Sequence, residues 1–146
     1  MKSIITRKLI SSLGSASIST LIFPLLFLGN EWGDYLSSVF YAAFFVFPIV
    51  FFYGNAVSFL LEFLLRKLSS SWSRALYIVL HLTFGLLGGS IVNIWGYYWN
   101  GAIAAGIYVL IDQVIKYGTH AVYRLMKWIA IAAYVLLVIL MLVALS

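Results

Sequence analysis

Apolar residues in this chain run in long blocks separated by short polar stretches, a pattern that fits neither the alternation of a half-buried strand nor the stripe of a soluble surface helix. Five blocks approach or exceed the roughly 20 residues needed to cross about 30 Å of hydrocarbon: 9–29, 35–65, 75–95, 99–117 and 128–145. The pattern predicts an all-α integral membrane bundle of five transmembrane helices forming one domain over residues 1–146. A four-span arrangement, with 99–117 only re-entrant, is the alternative. The first block is the least hydrophobic, with Ser11, Ser12, Ser15, Ser17, Ser19 and Thr20 in its first half, and the fourth is interrupted by Asp112. No A-x-A-like cleavage site follows the first block, which predicts an uncleaved first helix rather than a signal peptide.

The second block is too long for a straight crossing. As one helix it would run about 46 Å at 1.5 Å per residue. Pro48 offers a kink and Gly54-Asn55 a second weak point. Either the helix tilts strongly, or its last turns bend along the interface.

Charge fixes an orientation. The nine Lys and Arg fall in three clusters: Lys2, Arg7 and Lys8; Arg66, Lys67 and Arg74; Lys116, Arg124 and Lys127. With five spans and a cytoplasmic N-terminus, all nine lie inside and the C-terminus outside, as the positive-inside rule favours. The outer loops, 30–34 and 96–99, hold Glu31 and Asp34 and no base. Trp32, Trp95 and Trp99 then mark the outer interface, Trp72 and Trp128 the inner one. The expected location is the cell membrane, with the lipid bilayer as partner. The cations form no basic stripe with interleaved aromatics, so nucleic acid is not an expected partner.

Composition agrees. Hydrophobic residues make up 64% and charged residues 9%, against about 50% and 25% in soluble domains. The absence of cysteine excludes disulfides and thiolate chemistry. Small residues recur at a spacing of four: Ser11/Ser15/Ser19, Gly85/Gly89, Gly101/Ala105 and Ala102/Gly106. Such rows let helices approach closely within one bundle, or alternatively against a second copy or another membrane protein.

Two acids lie inside apolar blocks, each four residues before a cation: Glu62 before Arg66 and Asp112 before Lys116. That order favours i,i+4 ion pairs, and each acid lies about 5–6 Å inside its boundary, counted along the helix. Intramembrane ionisable groups nonetheless mark functional sites by default. Asn55, Ser58, Glu62, His81 and Asp112 are therefore a candidate inner-leaflet polar cluster, with His81 expected about 9 Å in from the inner end of its helix. No catalytic residue, metal set or cofactor motif is identified. His81 and His120 are too few for a metal site, and neither a nucleophile elbow nor a phosphate-binding glycine loop is present.

The stretch "YGNAVSFLLEFLLRK", followed by an arginine and "HLTFG", resembles a family of small multi-span membrane proteins of Bacillus-type Gram-positive bacteria, mainly over residues 53–85. The resemblance implies an integral cell-membrane protein without an assigned activity, and transfers no functional residue. The sequence thus leads to a non-enzymatic accessory or interaction protein, with a transporter or channel subunit using the polar cluster as the alternative. The orientation predicts that cysteines replacing Trp32 or Tyr97 label from outside with an impermeant maleimide. Cysteines replacing Ser70 or His120 should label only after permeabilisation, and external labelling at position 120 would overturn the arrangement.

Overall fold

The computed structural model describes residues 3–27, 32–92 and 99–145. Every element among them is helical: α1 (Ile4–Phe27), α2 (Trp32–Pro48), a π-helical turn (Ile49–Tyr53), α3 (Gly54–Leu65), α4 (Ser70–Val92), α5 (Trp99–Tyr117) and α6 (His120–Leu145). Three helical runs are long and apolar enough to cross a membrane: Ile4–Leu26, Tyr35–Leu65 and His120–Leu145. The bounds of α5 coincide with the predicted block. Helices α1, α4 and α6 begin five or more residues before theirs, because polar residues at those ends remain helical once neighbours or the interface satisfy them.

The long second block is one continuous helix interrupted by the π-turn that follows Pro48. Proline supplies no amide hydrogen and crowds the carbonyl four residues earlier. The backbone accommodates this with a widened turn. Gly54 keeps ordinary α-helical angles and does not break the helix. Nor do the last turns leave the bundle: Val57, Ser58, Leu61 and Leu65 of α3 are buried, with Tyr77 of α4 and Val109 of α5 in the same cluster.

The most polar helix is the innermost. About 61% of α1's spanning window is buried, against 28% of the Tyr35–Leu65 window and 11% of α6's. It packs against α2, the π-turn, α3, α5 and α6. Several of its hydroxyls bond locally or across helices: Ser11 to the Arg7 carbonyl, Thr20 to the Ala16 carbonyl and Ser15 to the Ala104 carbonyl of α5 at 3.0 Å, whereas those of Ser17 and Ser19 are buried without a partner among the described residues. Large apolar side chains point outward instead, among them Phe44, Phe52, Phe63, Leu110 and Leu142. In water such a distribution would be unstable. It is compatible with a hydrocarbon environment, where backbone groups are satisfied inside the helices and apolar side chains face lipid.

The serine row and the Gly85/Gly89 and Gly101/Ala105 rows are used within the chain. Ser11, Ser15 and Ser19 are buried in α1. Helices α4 and α5 approach so closely at Gly85 and Gly101 that a Cβ on Gly85 would come within 2.5 Å of the Ala105 Cβ and the Gly101 carbonyl oxygen. Trp72, Trp99 and Trp128 are all exposed. Trp95 and Glu31 lie outside the described residues, and the side chains of Trp32 and Asp34 are not described.

Gly101→Val is expected to force α4 and α5 apart and lower stability by about 1–3 kcal/mol, read as earlier thermal unfolding in detergent. Gly106→Ala should change little, because its Cβ would meet Leu82 at an ordinary 3.6 Å.

Candidate functional site

The cationic N-terminal turns of α1 lie beside the C-terminal turns of α3 and α5, where Glu62 and Asp112 reside. Helix ends of opposite polarity are thereby juxtaposed. The carbonyl ends of α3 and α5 favour nearby cations, while the carboxylates relieve the mismatch of two cations at the start of α1.

The ion pairs that form are interhelical. Arg7 bonds to Glu62 through one terminal guanidinium nitrogen and donates from Nε to Asp112 Oδ1 at 3.0 Å. Lys8 Nζ reaches Asp112 Oδ2 at 2.9 Å, Glu62 Oε2 at 3.0 Å and the Tyr77 hydroxyl at 2.9 Å. Lys116, at the exposed rim, donates to Glu62 Oε1 at 3.3 Å. The expected i,i+4 partners do not pair: Arg66 instead lies over the Phe63 ring at 4.4 Å, and Lys116 turns to Glu62 rather than Asp112. Asp112 and Lys8 are each 1% exposed at the side chain, and a charge so deeply buried requires a partner at contact. A cation on the solvated outer face of the same helix cannot provide it.

The hydrogen bonds close on themselves. An ammonium has three donors, and Lys8 has three acceptors. Tyr77 donates its single proton to Asp112 Oδ2 at 2.9 Å, so the Ser58 hydroxyl, 2.5 Å away, donates to Tyr77. The two lone pairs of the phenol then accept from Lys8 and Ser58. Both oxygens of each carboxylate are engaged. The network contains three cations and two carboxylates, with the additional cation, Lys116, on the solvated side.

The structure brings together the sequence-predicted residues Ser58, Glu62 and Asp112 and adds Arg7, Lys8 and Tyr77. Asn55 lies one turn above Ser58 on α3 and accepts from the Tyr108 hydroxyl at 3.1 Å. His81 is not bonded into the network. It is 2% exposed, stacks on Tyr108 with centroids 4.9 Å apart, and lies 5.6 Å from the Tyr77 ring. Because α4 begins at Ser70, His81 stands about 17 Å along its helix, near its middle rather than near its end. Arg7 and Lys8 read in sequence as orientation signals. The feature that marks them is the polar side of α1, where Arg7, Ser11 and Ser15 follow at spacings of four, facing two otherwise unpartnered acids elsewhere in the chain.

Among the described residues no group of three or more His, Asp or Glu is placed to hold a metal ion. No known protein family, curated protein or solved structure matches the chain.

Removing one member of a buried ion pair costs about 3–5 kcal/mol, whereas replacing both members with apolar residues is often neutral. Asp112→Asn, which leaves Arg7 and Lys8 sharing Glu62, should therefore destabilise the bundle more than Lys8→Met. The double variant Lys8→Met/Asp112→Leu should recover much of the loss. Thermal unfolding of the purified variants in one detergent checks the order.

Proposed function

We propose that the chain is a multi-pass protein of the cell membrane, a non-enzymatic accessory or interaction protein with five spans, a cytoplasmic N-terminus and an external C-terminus. Its charge network acts as a structural lock. The observation that carries this reading is saturation: both oxygens of each carboxylate are engaged within the chain, and the ammonium of Lys8 and the phenol of Tyr77 have every bonding position filled. A proton relay or ion path needs a group that can release one partner for another, together with water to carry the exchange.

The five-span arrangement draws support from length and charge. Helices α4 and α5, with 23 and 19 residues, rise about 34 and 28 Å at 1.5 Å per residue, enough to join the three more apolar runs as spans. The eight described Lys and Arg lie toward one end of the bundle, around the N-terminus of α1 and the α3–α4 and α5–α6 connections. Lipid is the partner that the outward apolar side chains fit. A second copy or another membrane protein would dock on those outer faces, since the small-residue rows at Gly85 and Gly101 are occupied within the chain. A transporter or channel subunit remains the second reading, favoured by the position of His81 between the network and a cleft in the other half of the bundle.

The chain has no cysteine, so single thiols can be read without background. Ser11→Cys and Ser58→Cys, both at fully buried positions, are expected to resist aqueous maleimide in native membranes while exposed Ser71→Cys reacts. Comparable labelling of all three would show that water reaches the network and would favour transport.

A further inference from the structure

Beyond the charge lock, the other half of the bundle contains a small half-open cleft of about 50 Å³ between the π-turn, α4 and α5. Small-molecule sites are concave and mostly apolar with a few polar groups, and this lining is apolar apart from Tyr53, His81 and Tyr108. Two backbone features shape it. The π-turn after Pro48 forms one wall, and on the others the Tyr53 ring packs on Gly88 while Gly101 lies against the backbone of Gly85 and Gly89. Tyr53 ties the π-turn to α4 by donating to the Phe84 carbonyl at 2.9 Å.

His81 lines this cleft and is 2% exposed, and its buried Nδ1 has no hydrogen-bond partner among the described residues. The other buried ionisable groups around it, Arg7, Lys8, Tyr77, Tyr108 and Asp112, are all bonded. A neutral imidazole has one donor and one acceptor, and a buried polar group left without a partner is costly. Stacking on Tyr108 holds the ring plane, so the nitrogens can be satisfied only from directions in that plane.

We propose that this cleft binds an uncharged amphiphile, with its apolar body against the glycine-rich wall and one hydroxyl or carbonyl oxygen bonded to His81. The wall carries no charged side chain, and transferring an ionised group into it would be strongly unfavourable. His81 lies near the middle of α4, so the ligand's polar group sits within the hydrocarbon. A phospholipid, whose polar groups remain at the interface, does not meet that requirement, whereas a long-chain alcohol or a neutral ketone does. The site lies outside the charge network, so failure of this proposal leaves the lock reading standing, and the reverse.

The test uses the full chain in phosphatidylcholine nanodiscs with three photoreactive probes: a diazirine-bearing long-chain alcohol, the matching hydrocarbon and a diazirine-bearing phosphatidylcholine. The alcohol should crosslink within 49–57, 81–89 or 101–108 and be displaced by unlabelled alcohol. The hydrocarbon and the phospholipid should label mainly the outer faces. His81→Phe, which keeps the stacking, should weaken cleft labelling about three- to tenfold, the effect of one net hydrogen bond, while His81→Asn retains it. Val50→Trp, placed on the half-exposed wall, should abolish it even if His81→Phe proves too unstable to purify. Leu110→Trp, on the outer surface, should not. Equal cleft labelling by alcohol and hydrocarbon, labelling by phosphatidylcholine alone, or labelling unaffected by both His81→Phe and Val50→Trp would overturn the proposal.

Discussion

A charge that cannot reach water must find its opposite at contact distance, and this requirement organises the bundle. Asp112 and Lys8 are almost wholly buried, and the attraction between them is scarcely screened at that depth. Satisfying Asp112 and Glu62 together takes two adjacent cations, and Arg7-Lys8 at the start of α1 supplies them. That fixes the end of α1 against the ends of α3 and α5, which sets the depth of α1 in the bundle. Tyr77 and Ser58 then fill the remaining bonding positions and bring α4 into register.

With α1 pinned at the centre, the rest of the packing inverts the usual arrangement of a soluble protein. Polar hydroxyls occupy the interior, where helix carbonyls accept those of Ser11, Ser15 and Thr20, and phenylalanines and leucines face outward. Between helices in hydrocarbon the hydrophobic effect supplies little drive, so close van der Waals contact and hydrogen bonds must do so. The Gly85–Gly101 approach of α4 and α5 and the serine-lined seams of α1 are the two forms this takes here.

The two halves of the bundle differ in how completely their buried ionisable groups are satisfied. At the basic end, the carboxylates, Lys8 and Tyr77 close a single network in which Lys8 and Tyr77 have no bonding position open. Beyond Tyr77 the network stops, and His81 faces an apolar cleft without a protein partner. The π-turn at residues 49–53 forms one wall of that cleft. A proline visible in the sequence thus has its structural effect several residues downstream.

The sequence by itself determined the helical class, the apolar runs and the coincidence of α5 with residues 99–117, because block length and hydropathy are local properties. It also singled out Glu62, Asp112, Ser58 and His81, because an ionisable or polar residue inside an apolar run is conspicuous wherever it folds. Partner choice was not local. The spacing of Glu62 to Arg66 and Asp112 to Lys116 suits pairing along one helix, but those cations lie toward solvent while the acids turn inward. Arg7 and Lys8, some 50 and 100 positions away in the chain, became the partners only once α1 was placed between α3 and α5. The central position of α1, the π-turn after Pro48 and the unpartnered imidazole of His81 were likewise decided by tertiary packing, because each depends on what another helix presents at the same depth.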